Sequence, residues 1–374
     1  MSTIHKPKKS AVSIEKRVAQ HEKKERAKED ADIKKEAEDK AQEEEESLES
    51  VTDPRVMAHY NDAAKIANAA LKLAETLCVE GAVIHDICTK VNAYITEECG
   101  KVFKGKYNYE KGIAFPCCIS LNNCCGYYSP LADDKTAIKK GDLVKIQLGA
   151  HISGFVAEVA NTIVIGEAAT GDKQKLIEAG YLALKEAVTK LEIGVNTADI
   201  SAAIDAVCKK YDVKPFENII SRNMERYVID GQKFILNVLP KSPSDHLTIE
   251  ANEVWNLEIQ LTSGAAKPIE RDTRTTVFKR NVEESYLLKM KASQTTFREI
   301  NDKYPTFPFA ISMLENEAKA KLGLVEMTKH SLVDAYNVVY EKTGNVSQFK
   351  ATVIITEKGK VLLTPLDEPA TLKK

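Results

Sequence analysis

The stretch Gly141–Thr162, GDLVKIQLGAHISGFVAEVANT, decides how the chain folds. Apolar Leu143, Val144, Ile146 and Leu148 lead into Gly149, and Phe155, Val156, Val159 and Ile163 follow Gly154. β-Branched and aromatic residues on both sides of glycine punctuation predict two paired strands, a β-hairpin. Gln147 and Glu158 carry polar side chains among these apolar neighbours. Most strand polar groups face solvent; if these two are buried, they must be paired or they cost stability.

Working outward, the residues before the hairpin read as helical. Met57, Tyr60, Ala64, Ile66, Ala67, Ala70, Leu71, Leu73, Ala74 and Leu77 supply an apolar stripe, with Asp53-Pro54 as its start. Gly81 breaks the run and a second helix carries Ile84, Ile87, Val91 and Ile95. A strand follows at 113–120, then the hairpin. The same order recurs: helices at 173–190 and 197–211, with Asn196 or Thr197 as cap, then strands near 216–220, 253–262 and 275–279. Helices then strands, twice over, predict a duplicated α+β architecture. Residues 283–337 interrupt it with helical patterns at 312–321 and 325–336, and strands at 352–356 and 361–364 close the chain.

The chain of 374 residues is long enough to bury a substantial core, and its net charge of -2 excludes a uniformly basic nucleic-acid binder. No apolar run approaches the ~18 residues of a membrane span and no signal-peptide pattern is present, which predicts a soluble intracellular protein. Residues 1–52 form a charged arm, helical or disordered, basic from Lys6 to Lys28 and acidic from Glu36 to Glu49. Eight cysteines include the neighbours Cys117–Cys118 and Cys124–Cys125. Adjacent strand residues point to opposite faces and the CxxC spacing is absent, so a zinc site is not expected.

The blocks GIAFPCCISLNNCCGYYSP (Gly112–Pro130), KIQLGAHISGFVAEVANT, YVIDGQK (Tyr227–Lys233), EVWNLEIQLTSG (Glu253–Gly264) and SQFKATVIIT (Ser347–Thr356) stand in one order. Together they resemble the type-2 methionine aminopeptidases and, more closely, the proliferation-associated (ErbB-receptor-binding) proteins, their non-enzymatic relatives. The resemblance spans residues 53–374. It implies a pita-bread (creatinase/aminopeptidase) fold: pseudo-two-fold α/β halves around a curved antiparallel sheet, with a helical insertion at about 283–337. The lysine-rich C-terminal extension of animal members has no counterpart here.

In the aminopeptidases, two divalent metals rest on Asp, Asp, His, Glu and Glu. Carried over by resemblance, those positions fall on Gln147, Glu158, Arg222, Glu258 and Lys350; two further histidine positions fall on Tyr127 and Asp230. Hard dications need anionic oxygens or neutral imidazole. A guanidinium cannot be deprotonated in a protein, and a lysine ligates only when neutral. No metal or other cofactor is therefore expected. Arg222 and Lys350 are expected to form ion pairs with Glu158 and Glu258 instead.

The function the resemblance implies is a catalytically inactive factor that binds the large ribosomal subunit and its RNA near the exit region, in ribosome biogenesis or translation control. Its expected location is the cytoplasm, with nuclear and nucleolar pools, as a monomer with no membrane partner. Lys279, Arg280, Lys289, Lys291, Arg298 and Lys303, interleaved with aromatic residues, form the candidate RNA patch. Two alternatives stay open: an active methionine aminopeptidase with an atypical site, and a cleft that holds nascent peptide without cutting it.

Overall fold

The computed structural model describes Lys28 and residues 50–104, 109–242 and 246–373. The charged arm at 1–52 lies outside these residues except for Lys28 and 50–52. Two helices open the described chain: α1 (Pro54–Leu77), whose cap Asp53 accepts from the Arg55 N–H, and α2 (Ile84–Lys101). Three strands follow: β1 (Lys111–Leu121), β2 (Leu143–Ile152) and β3 (Phe155–Val164). Then come α3 (Gly171–Lys190) and α4 (Thr197–Tyr211), the latter capped by the Asn196 side chain. Next are β4 (Lys214–Pro215), β5 (Ile220–Met224), β6 (Phe234–Leu236), β7 (Val254–Thr262), β8 (Pro268–Glu270) and β9 (Val277–Arg280). The remainder is α5 (Lys291–Lys303), β10 (Phe309–Ala310), α6 (Glu317–Lys329), β11 (Val333–Tyr336), β12 (Val339–Glu341), β13 (Val346–Thr356) and β14 (Gly359–Leu362).

The large sheet runs β1-β2-β3-β13-β7-β5-β6, with β14 on β13 and β4 on β7. α1 lies on β2 and β3, and α2 on β1; α3 covers β7 and β13, and α4 packs on α3. The helix-facing side of β7 and β13 is apolar by alternation: Trp255, Leu257, Ile259 and Leu261 meet Phe349, Ala351, Val353 and Ile355 in one buried cluster with Leu176, Ala183, Ile200 and Ile204. Between them on the same strands stand buried polar residues: Asn256, Glu258, Gln260 and Thr262, and Gln348, Lys350 and Thr352. A sheet with one apolar face and one buried polar face is what positions the site.

The hairpin forms as expected and turns at Ser153 and Gly154, both with positive φ (53° and 81°), as a two-residue type I′ connection requires. Gly149 is not a turn residue but lies inside β2 opposite Glu158. A Cβ there would stand 2.8 Å from Glu158 Cγ. The missing side chain gives the glutamate its room. His151 sits in β2, and burial pushes its imidazole down to about 3.

Three expectations are corrected. The strand near 216–220 is β5 at Ile220–Met224; Phe216 instead packs as a core residue with Cys125 and Val346. In the 283–337 segment the helices are α5 and α6, not 312–321 and 325–336. α5 escaped notice because its apolar content is sparse; it buries Ser293, Thr296 and Ile300. The end of the expected second helix is β11, which pairs with β9. The cysteines obey alternation: the Cys117 N–H is held by Asn92 of α2, while Cys118 pairs with Gln147 on the polar face.

Candidate functional site

Sheet register brings the five aligned positions to one face. Gln147 stands opposite Ala160, Ala160 opposite Lys350, and Lys350 opposite Glu258. Glu158 lies two residues from Ala160, and Arg222 stands opposite Asn256, two residues from Glu258. Residues opposed in a ladder, or two apart on a strand, share a side of the sheet. The polar side chains are buried, with Gln147 and Glu158 each only 1 % exposed, so they do not face solvent.

At the centre Lys350 Nζ lies 2.9 Å from Glu158 Oε2 and 3.1 Å from Glu258 Oε2. Burial alone would drive the ammonium toward neutrality; the Glu158 and Glu258 carboxylates outweigh that and hold it above the ordinary lysine value. The ammonium also lies 5.5 Å from the centre of the Phe115 ring, within cation–π range. Gln348 Nε2 donates to Glu258 Oε1 (2.7 Å) and to Gln147 Oε1 (3.0 Å). Asn256 Nδ2 donates to Glu158 Oε2 at 3.0 Å. Below, Thr352 Oγ1 accepts the Glu158 N–H and donates to the Glu158 carbonyl. Nitrogen donors thus reach Glu158 through Oε2 and Glu258 through both carboxylate oxygens.

The expected ion pairs form at Lys350 but not at Arg222. Lys350 alone bridges both glutamates. Arg222 donates from Nη1 to the Gly231 carbonyl (3.1 Å) and pairs with no carboxylate among the described residues. Asn256, opposite it on β7, reaches Glu158, and the guanidinium bonds the Gly231 carbonyl between β5 and β6. Asp230, at one of the aligned histidine positions, pairs with Lys279 at 2.7 Å. Tyr127, at the other, has φ of 62° and packs edge-on to Tyr336 (5.1 Å between centroids) and near Phe115 (6.0 Å). Burial and the Glu258 charge push its phenol above the ordinary tyrosine value.

A cavity of about 380 Å³ opens on this face, lined by Phe115, Tyr127, Arg222, Glu258, Tyr336 and Lys350 among others. Sequence reasoning missed Phe115, Asn256, Tyr336 and Gln348. Two of them sit at even spacing from an aligned residue on the same strand, Asn256 and Gln348 two residues from Glu258 and Lys350; Phe115 on β1 stands across from Gly149. Alternation would have found these two; Phe115 arrives through the β1–β2 register and Tyr336 from β11 of the insertion, which no local pattern reveals. Farther along β2 on the same side, Lys145 is 1 % exposed and donates to the Asn122 carbonyl (2.8 Å). Burial pushes it down to about 8.

The donor set does not fit a pair of divalent metals. Of the five aligned positions, one is a carboxamide and two are cations, and one of those cations occupies the space between the only two carboxylates. Entry of a dication would have to overcome charge repulsion of several kcal/mol at ~4 Å and an effective dielectric of ~20. Among the described residues, no group of three His, Cys, Asp or Glu side chains is placed to hold a metal elsewhere.

The sequence profile of Metallopeptidase family M24 matches residues 58–289. The chain belongs to the M24 family. It is 41 % identical over 322 residues to an ErbB-3 binding protein 1 from Solanum tuberosum, covering 85 % of this chain and 83 % of the relative. It is 37 % identical to proliferation-associated protein A of Dictyostelium discoideum, covering 84 % and 83 %. A solved structure of a thermophilic Arx1 superposes with a TM-score of 0.79 at 28 % identity, covering 86 % of this chain and 94 % of that one. These relatives place the chain in the ErbB-3-binding, proliferation-associated branch, with the pita-bread fold that the hairpin and its resemblance implied.

The six residues of the candidate RNA patch separate into two groups. Lys289, Lys291 and Arg298 are exposed and make no ion pair among the described residues. The others are engaged. Lys279 is held by Asp230, Lys303 by Glu299 and Glu315, and Arg280 lies half-buried over the Phe297 ring at 5.6 Å. Lys279 and Lys303 thus carry acidic partners and Arg280 an aromatic one.

Proposed function

We propose that the chain is a catalytically inactive member of the M24 family that works as a ribosome- and RNA-binding factor. The observation that carries this reading is the Lys350 ammonium between Glu158 and Glu258, at 2.9 and 3.1 Å. It uses the site's anions internally, leaving no metal-activated water to attack a peptide bond. What remains is a rigid scaffold with an insertion that presents Lys289, Lys291 and Arg298 to solvent. Phosphate affinity needs clustered cations, not overall basicity, so a chain of net charge -2 can still dock on RNA. The partner is the large ribosomal subunit in the exit region, encountered in the cytoplasm and the nucleus.

Co-sedimentation with purified large subunits tests this. Binding is expected to fall steeply as salt rises, and to fall by about tenfold or more when Lys289, Lys291 and Arg298 are all changed to Glu. The Lys303→Glu change, at an engaged residue, is expected to have the smaller effect. Absence of binding at low salt contradicts the proposal, as does metal-dependent release of N-terminal methionine from a test peptide.

A further inference from the structure

The cavity beside the triad is electrically dipolar. At its deep end two carboxylates, Glu158 and Glu258, face a single ammonium, Lys350, leaving one negative charge in excess. At its other end the Arg222 guanidinium lines the same cavity, spends one N–H on the Gly231 carbonyl, and meets no carboxylate within ion-pair distance among the described residues. Asp230, also on the wall, is already paired with Lys279. Between the two ends stands Asn256, 7 % exposed, whose Nδ2 is committed to Glu158 and whose buried Oδ1 has no hydrogen-bond partner. A buried acceptor left unpaired costs about 1–3 kcal/mol, and a guanidinium in a walled cavity favours a planar bidentate anion.

A lone anion at Arg222 would feel the excess carboxylate charge, and a lone cation at Glu258 would feel the guanidinium. A molecule carrying both charges a few ångströms apart satisfies each end. The remaining walls are Phe115, Tyr127 and Tyr336, and an apolar pocket of about 140 Å³ lined by Phe216 and Val339 opens past Tyr127 and Ile219. About 380 Å³ falls in the size range of small-ligand sites.

We propose that this cavity binds a free apolar α-amino acid, with its carboxylate on Arg222, its ammonium on Asn256 Oδ1 and the Glu258 carboxylate, and its side chain on the aromatic wall. No bond is made or broken. The inference is independent of the ribosome reading, since the insertion's exposed cations play no part in it. It also differs from capture of a peptide amino terminus, which has no carboxylate to offer Arg222.

Titration calorimetry and thermal-shift measurements on the full chain, with L-leucine, L-methionine and L-phenylalanine as probes, test it. At least one is expected to bind with millimolar affinity or better. The matching amino-acid amide, which keeps the ammonium, and the deamino acid, which keeps the carboxylate, are each expected to bind about tenfold more weakly. Arg222→Gln is expected to lose binding by about tenfold or more while keeping the unliganded melting temperature. The proposal is overturned if no apolar amino acid binds up to about 20 mM, if the amide binds as well as the acid, or if Arg222→Gln binds undiminished. The analogue series on the unaltered protein decides the matter even should the variant fold poorly.

Discussion

Lys350→Met is the perturbation that exposes what the triad does. The two carboxylate oxygens now bridged by the ammonium lie at most 6.0 Å apart, the sum of the 2.9 and 3.1 Å contacts. At an effective dielectric of ~20, two unit charges at that separation repel by about 3 kcal/mol. Removing one partner from a buried ion-pair cluster costs about 3–5 kcal/mol in other proteins, which agrees with that figure once lost hydrogen bonds are added. Urea denaturation at pH 7.5 is therefore expected to show Lys350→Met less stable by about 3–5 kcal/mol. The uncharged triad Glu158→Gln, Lys350→Met, Glu258→Gln is expected to recover most of that loss. A deficit under about 1 kcal/mol would refute the reasoning.

Lys145 gives stability a dependence on pH. Burial sets its folded value at about 8, below the ~10.4 of an unfolded lysine, so the unfolded chain binds more protons between these values and stability rises with pH across that window. The difference between the unaltered protein and Lys145→Met, measured from pH 7.5 to 10, is expected to change by about 2–3 kcal/mol in favour of the unaltered protein; a flat difference contradicts the assignment. Gly149→Val places a branched side chain where even a Cβ stands 2.8 Å from Glu158 Cγ. It is expected to cost about 1–3 kcal/mol in urea unfolding, while Gly100→Ala, in α2 with open space around it and no positive φ, is expected to cost nothing or to stabilise slightly.

Much of the fold was legible because the hairpin, the capped helices and the central strands obey the periods that burial imposes. Asp53 and Asn196 announced their helices as capping side chains do, and alternation in 253–262 separated the Trp255 face from the Glu258 face. The insertion was read poorly because α5 buries mostly Ser293 and Thr296, a surface that does not stand out by hydropathy. At the site, the sequence told which residues had changed but not who meets whom. Lys350 and Glu258 are neighbours through strand register, which is non-local, and one lysine suffices for both glutamates because Gln348 and Asn256 supply the other donors. Arg222 bonds instead to the carbonyl of Gly231, between β5 and β6. The cations of the insertion looked alike in the sequence; only folding showed that Asp230 and Glu299 had already claimed two of them.

The most direct measurement is a calorimetric titration of the chelator-treated full chain with Mn²⁺ and Co²⁺ at neutral pH, alongside elemental analysis of the protein as purified. With the ammonium of Lys350 seated between Glu158 and Glu258, no stoichiometric uptake is expected. Two ions bound per chain, with binding lost on changing Glu158 or Glu258 to Gln, would mean that the lysine yields its place to metal and that the site is a peptidase centre after all.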